Sequence, residues 1–298
     1  MGEKPRTGKT TIVLAQDSGI GNRIQFMASA IRIYDIKDFD LYWPVEGWVS
    51  AAFSDLFDFE WDYEVREHNE LVMLRNLPEE APLCYTKGWR LYISPEDGLS
   101  RFFPWLYDNA EHGYSIDFEY NRIPGRIRDI YRPFFKRLNP SKAVLEKVNA
   151  VVLPENTVAL QVRNNPDWQQ HNRTVSLDEY FRLMDKYPEK TKFFLCAMNK
   201  ETENAFVERY GSRIIVQKDK DFHSMIDAAA DLFLMAKCSE MILSFESSFG
   251  CLAWWLGGAA ANVRVAGGSG LFKCVKRKFL NVCRFLFVKN CKNRLFER

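Results

Sequence analysis

The sequence predicts an α/β protein built from two Rossmann-like, doubly wound halves that face each other across a cleft. Three observations carry this. Short apolar, β-branched runs of strand length alternate with amphipathic helical patterns in both parts of the chain. The N-terminal part opens on a strand, a glycine turn, a helix and a second strand, the start of a doubly wound sheet. The length of 298 residues suits two domains of ordinary size better than one.

The first strand is Thr10 to Ala15. It runs into Gln16-Asp17-Ser18-Gly19-Ile20-Gly21-Asn22-Arg23, after which Ile24, Met27, Ala28, Ile31 and Tyr34 recur at helical spacing. Asp40 to Trp43 is the second strand. Residues 50 to 125 have no clean period and read as loops and short helices around the cleft. Ile127 to Val152 is helical in pattern, broken at Pro133 and Pro140, and bridges the halves.

The second half is more regular. Strands are expected at Thr157 to Val162, Lys192 to Ala197, Ser212 to Val216 and Met241 to Phe245. Helices are expected at Leu177 to Lys186, Glu201 to Tyr210, His223 to Cys238 (burying Ile226, Ala229, Phe233 and Ala236) and Ser248 to Leu256. The domain division is then 1–145 for the N-terminal half, 146–272 for the C-terminal half, and a tail over 273–298.

Composition narrows the function classes. Hydrophobic residues at 47% and charged residues at 27% belong to a globular protein with a real core. Of 41 basic and 39 acidic residues, nine basic and one acidic fall in Lys273 to Arg298, so the body is mildly acidic and the tail basic. That pattern argues against a nucleic-acid binder, whose positive charge follows a groove or face of the fold. The cysteines (Cys84, Cys196, Cys238, Cys251, Cys274, Cys283, Cys291) form no C-x-x-C pair and there are four histidines, which argues against a structural zinc site and for free thiols in a reducing compartment. With no signal-peptide pattern and no apolar run of the ~20 residues that a membrane helix needs, the expected location is cytoplasmic.

Gly8-Lys9-Thr10 is excluded as a phosphate-binding loop, because it precedes a strand and Gly2 lies one residue too far upstream. Three other segments sit where strands end, the edge at which open α/β sheets bind ligands. Gly19 and Gly21 either bring backbone amides close to an anion or sugar or simply allow a tight turn. Arg163, in Gln161-Val162-Arg163-Asn164-Asn165-Pro166-Asp167, either holds a diphosphate with its planar fork or makes a surface ion pair. Ser247 and Ser248, in Ser244-Phe245-Glu246-Ser247-Ser248-Phe249-Gly250, either cap the following helix or bind phosphate at its N-terminus. Trp254 and Trp255 read as packing residues. In the tail, Val275, Phe279, Val282 and Leu286 fall at helical spacing among Lys276, Arg277 and Arg284, suiting either an anionic membrane surface or packing on a domain.

These segments in this order resemble the fucosyltransferase-like glycosyltransferase superfamily, which includes the α-1,2- and α-1,6-fucosyltransferases and the protein O-fucosyltransferases. Gly19-Ile20-Gly21-Asn22-Arg23 with Ser29-Ala30-Ile31-Arg32 is similar to its N-terminal motif. Val158-Ala159-Leu160-Gln161-Val162-Arg163 is similar to its strand ending in His-x-Arg, and Phe193 to Asn199 to a later strand. Asp231 to Cys238 followed by Ile242 to Phe249 is similar to its helix, strand and serine pair. The likeness covers about residues 10–35 and 155–260. It departs at Gln161, where the family has His, and at Asn164-Asn165-Pro166, which displaces an acidic residue to Asp167.

The resemblance implies a GT-B architecture and an inverting, metal-independent enzyme with no cofactor, moving a sugar (fucose from GDP-fucose) to a glycan or lipid-linked glycan. Arg163 would hold the donor's β-phosphate. Ser247, Ser248 and Phe249 would line diphosphate and ribose, and Gly19, Gly21, Asn22 and Arg23 would meet the reacting sugar. Asn199 and Asp227 would be further donor contacts. A base is needed for the acceptor hydroxyl; Asp17 is preferred, with Asp167 and Glu246 as alternatives. Another nucleotide sugar on the same fold, or a non-catalytic nucleotide-sugar or glycan-binding module, remain the rival readings. The tail would place the enzyme peripherally on a membrane.

Overall fold

Two parallel sheets organise the chain. The computed structural model describes residues 10–14, 19–33, 39–59, 65–68, 83–86, 125–164, 175–245 and 247–267. The first sheet joins β1 (Thr10–Leu14), β2 (Phe39–Pro44), β4 (Val65–His68) and β5 (Leu83–Thr86) in the order β4-β2-β1-β5. Helix α1 (Ile20–Ile33) links β1 to β2. The second sheet is β11-β10-β7-β8-β9, from β7 (Val158–Val162), β8 (Phe193–Ala197), β9 (Ile214–Ile215), β10 (Glu240–Ser244) and β11 (Asn262–Ala266). All pairings in both sheets are parallel.

Outside the two sheets the chain forms α2 (Phe53–Leu56), the antiparallel pair β3 (Phe57–Phe59) with β6 (Leu138–Pro140), α3 (Gly125–Arg137) and α4 (Lys142–Asn149). The second sheet carries α5 (Leu177–Met184), α6 (Lys200–Tyr210), α7 (Met225–Ala236) and α8 (Ser248–Leu256). Its helix starts follow local chemistry. Ser141, Asn199, Ser224 and Ser247 each accept a hydrogen bond from the backbone amide three residues on, which fixes where α4, α6, α7 and α8 begin.

Strands β7 and β8 are buried along their whole length, which is why they read as continuous apolar runs rather than alternating ones. On one face of the second sheet Val158, Leu160 and Val162 join Tyr180, Met184 and Phe206 in a core. On the other face a larger core runs through both halves, from Leu14, Ile24 and Leu41 to Leu243, Leu252 and Trp255. Phe135 of α3 stacks on Trp255 of α8 with ring centroids 5.0 Å apart, and Phe57 meets Phe233 edge to face at 6.1 Å. Arg128 and Arg132 of α3 donate to the carbonyls of Ala259 and Gly258, just past the C-terminus of α8.

Several expectations are corrected. Residues 50–125 contain strands β4 and β5, which flank β2 and β1 in the first sheet. Pro133 does not break its helix: α3 continues to Arg137, with Arg132 paired to Asp129 at 2.6 Å across the turn that lacks the proline amide. The glycine segment is not a loop ahead of a helix, because α1 already begins at Ile20 and includes Gly21, Asn22 and Arg23. In α7 the fully buried side chains include Leu232, Leu234 and Met235, with Ile226 and Phe233 only partly covered.

Candidate active site

The strand order of the second sheet creates a crevice. From β7 the chain moves outward through β8 and β9, then returns to place β10 on the other side of β7. Connections therefore leave β7 and β10 in opposite directions, which makes the space beyond their carboxyl ends the topological switch point where such sheets bind ligands. Arg163 immediately follows β7, and Ser247, three residues past the end of β10, caps α8, which Ser248 opens.

The two strands separate at this point. β7 and β10 are paired through Leu160 and Ile242, after which β7 stays with β8 and β10 with β11. Side chains fill the gap in the ladder. Gln161 Oε1 accepts from the Ser244 amide at 3.1 Å, in the place of a backbone carbonyl. Ser244 Oγ donates to the Gln161 carbonyl at 3.0 Å and accepts from the Arg163 amide at 2.8 Å. Tyr180 Oη lies 2.7 Å from the same Oγ.

A serine hydroxyl has one proton to give and two lone pairs to receive. With the proton on the Gln161 carbonyl and one lone pair on the Arg163 amide, Tyr180 must be the donor. Burial pushes the Tyr180 hydroxyl up to about 12, which keeps that proton in place at neutral pH. The four residues form a closed polar knot at the mouth of the crevice, and it fixes the backbone from which the half-buried Arg163 side chain starts.

The two halves meet at the same place. Gly21, in the first turn of α1, faces the start of α8 so closely that a Cβ there would overlap the Ser248 carbonyl and lie 2.8 Å from the Phe249 amide nitrogen. Gln25 Nε2, one turn further along α1, donates to the Ser248 carbonyl at 3.4 Å. The N-terminal turns of α1 and α8, each at the positive end of a helix dipole, therefore meet where the first half reaches the carboxyl end of the second sheet.

The expected site residues divide into those brought to this place and those used elsewhere. Gly19 lies just before α1, its carbonyl accepting from the amides of Asn22 and Arg23, and Asn22 is half-buried in the first turn. Ser247 is buried and caps α8 through the Gly250 amide at 3.2 Å. Ser248 is half-buried beside it, and Phe249 packs against the core. Asp17, Asp167 and Glu246, and the tail over 273–298, lie outside the described residues.

Three of the expected donor contacts make bonds within the chain. Arg23 is 1% exposed, and its guanidinium donates to the Pro44 and Glu46 carbonyls and lies 5.0 Å over the Trp43 ring, so it serves the loop after β2. Asp227 is buried in the first turn of α7, in an ion pair with Lys147 at 2.7 Å and accepting from the Asp221 amide. Asn199 uses its side-chain oxygen to cap α6 and its amide to reach the Asn164 carbonyl at 3.3 Å, tying the exits of β8 and β7 together.

Two features had no signal in the sequence. Tyr180 sits on a helix whose spacing marks it only as a core residue. Lys220 is buried with Asp231, and it also donates to the Ala197 carbonyl, the last of β8, at 3.0 Å. Burial alone lowers the Lys220 ammonium, but the adjacent Asp231 carboxylate more than offsets this and holds it raised. Burial also pushes the nearby Cys196 thiol well up, making it an unreactive core group. Among the described residues no group of three or more His, Cys, Asp or Glu side chains comes together, and no helix is long and apolar enough to cross a membrane.

No protein-family model matches the sequence, and no curated protein matches it. Among solved structures, the fucosyltransferase NodZ from Bradyrhizobium is similar, at 16% identity and a TM-score of 0.51 over 83% of this chain and 93% of that one. POFUT1 in complex with GDP is similar at 12% identity and a TM-score of 0.49, over 87% of this chain and 98% of that one. FUT1 of Arabidopsis thaliana in complex with GDP is similar at 16% identity and a TM-score of 0.48, over 87% and 70%. The fold shared with the Bradyrhizobium enzyme bears out the resemblance to the fucosyltransferase-like superfamily at the level of fold.

Proposed function

We propose that this chain is a glycosyltransferase of GT-B type that moves a sugar, fucose from GDP-fucose, onto a hydroxyl of a glycan by an inverting, metal-independent reaction. The observation that supports it most is the meeting of two helix N-termini, those of α1 and α8, at the switch point of the second sheet, where β7 ends at Arg163. That arrangement suits a diphosphate: fixed amides and one guanidinium, placed where negative charge develops. The fold shared with a fucosyltransferase supports the same reading.

In the reaction the acceptor oxygen forms a bond to the anomeric carbon as the bond from that carbon to the β-phosphate oxygen breaks. The electron pair leaves with the diphosphate, and the hydroxyl proton passes to a carboxylate base. Arg163 and the α8 amides near Ser247 and Ser248 take the charge of the leaving group, while Gly19, Gly21 and Asn22 approach the sugar from the first half. Asp17 is the base we assign, with Asp167 and Glu246 as alternatives. The halves divide near residues 145–146, and the basic tail over 273–298 attaches the enzyme to an anionic membrane from the cytoplasmic side, where a lipid-linked glycan is the acceptor.

One observation favours a second donor on the same fold. Gln161 stands where the family has His, and its carboxamide oxygen is taken up by Ser244. The test is thermal stabilisation of the purified protein by GDP, UDP, CMP and their sugar conjugates without added metal. A selective shift with GDP and GDP-fucose supports fucose, a shift with UDP species replaces it, and no shift with any of them rejects the donor site. Arg163→Ala then lowers turnover on the order of 10²-fold, as expected for loss of a leaving-group contact. Activity within threefold of the parent would remove Arg163 from that role.

A further inference from the structure

The second sheet loses strand pairings towards its carboxyl end. The ladder between β7 and β10 stops at Leu160 and Ile242, so the last residues of β7, Gln161 and Val162, are laddered to β8 alone, opposite Cys196 and Ala197. β9 is two residues long and pairs only with Phe193 and Phe194 of β8. Among the described residues, the outer edge of β8 from Leu195 to Ala197 therefore runs on without a neighbouring strand.

A single side chain takes over there. Lys220, five residues past β9, donates to the carbonyl of Ala197, the last residue of β8, at 3.0 Å. Its ammonium is also held by Asp231 of α7, which accepts from Gln217 as well. The Lys220 and Asp231 side chains are 7% and 2% exposed. Replacing such a buried pair by apolar side chains of similar volume is often neutral, because both charges have lost their water. What an apolar pair could not supply is a donor for the Ala197 carbonyl.

That carbonyl stands one step from the candidate site. Ala197 is the register partner of Val162, the residue before Arg163. Asn199, two residues past Ala197, donates to the carbonyl of Asn164, the residue after Arg163, at 3.3 Å. Arg163 is thus bracketed by two ties to the end of β8, while Ser244 holds its amide from the β10 side.

We propose that Lys220 is a positioning residue for the leaving-group contact: held by Asp231, it anchors the end of β8 and so sets where Arg163 meets the donor's diphosphate. This rests on the glycosyltransferase reading of the same site. Being buried, Lys220 acts through Arg163 and not on the substrate.

The test uses the full chain carrying Lys220→Met together with Asp231→Asn, which removes both charges with little change of volume and leaves no buried charge unpaired. If this variant does not fold, Lys220→Gln, uncharged and one atom shorter, is read in the same two arms. The first arm needs no substrate. Amide hydrogen exchange is followed by mass spectrometry on peptides covering residues 158–164 and, as reference, 262–266. Exchange over 161–164 rises about tenfold or more while the reference keeps the parent rate, and an unchanged rate over 161–164 overturns the proposal.

In the second arm the nucleotide sugar that best stabilises the parent is turned over with water as acceptor, and nucleotide release is timed. The variant lowers kcat about tenfold, as for a displaced catalytic group, and changes the donor KM less than about threefold. In an Arg163→Ala background the same change lowers kcat less than about twofold, because the residue through which Lys220 acts is gone. An equal factor in both backgrounds, or a loss confined to KM, overturns the proposal. A parent protein that no nucleotide sugar stabilises overturns the glycosyltransferase reading instead, and the exchange arm then decides by itself whether Lys220 fixes the backbone at Arg163.

Discussion

Replacing Ser244 with alanine removes one oxygen from a buried site and takes its hydrogen bond from three groups: the Gln161 carbonyl, the Tyr180 hydroxyl and the Arg163 amide. The Arg163 amide is only part-buried and can turn to water, so the cost falls mainly on the other two. At about 1–3 kcal/mol for each buried polar group left unpaired, with partial relaxation, the loss is about 2–4 kcal/mol. Tyr180→Phe is milder. It removes one donor while Ser244 keeps its bonds to Gln161 and Arg163, for a loss of about 0.5–1.5 kcal/mol. Ser244→Ala with Tyr180→Phe removes the orphaned hydroxyl that the single serine change creates. The double variant is therefore no less stable than Ser244→Ala alone, the departure from additivity that a shared hydrogen bond produces. Urea unfolding followed by tryptophan emission measures all three. If Tyr180→Phe costs as much as Ser244→Ala, or the two losses simply add, the knot is not connected as derived.

Other expectations follow from the same geometry. Tyr180 has its folded value raised from 10.0 to about 12, so its contribution is fully present below pH 10 and is lost as pH rises through 12. Parent stability should fall over that window by roughly 2–3 kcal/mol more than that of Tyr180→Phe, and parallel curves would refute the assignment. Gly21→Ala places a methyl group on the Ser248 carbonyl, forcing α1 and α8 apart. A loss of about 2 kcal/mol or more is expected for such overpacking, together with weaker stabilisation by nucleotide sugar, and a variant unchanged in both respects would mean that the helices do not meet as described. Deleting residues 273–298 should abolish binding to anionic vesicles, read by co-sedimentation. Unchanged binding would show that the tail is not the attachment point.

The elements of the second half were legible because their physics is local. A strand buried on both faces must be continuously apolar, and a capping Ser or Asn must precede a helix, so β7, β8, α6 and α8 stand in the sequence within a residue or two of where they form. Strands β4 and β5 were not legible. Each is four residues long, too short for a period to emerge, and they become strands by pairing with β2 and β1.

The candidate site shows the same division. The sequence by itself determined which backbone would stand at strand ends: Gly19 after β1, Arg163 after β7, Ser247 after β10. Only the tertiary structure decided what each side chain does there. Arg23 and Arg163 both follow strands in candidate motifs, yet one is buried against Trp43 and the other is half-buried at the crevice, because direction depends on what packs opposite. Ser244 and Tyr180 are 64 residues apart, and nothing in either segment signals the hydrogen bond between them. Spacing along a chain fixes which face of an element a residue occupies; which faces meet is set by burial over the whole molecule.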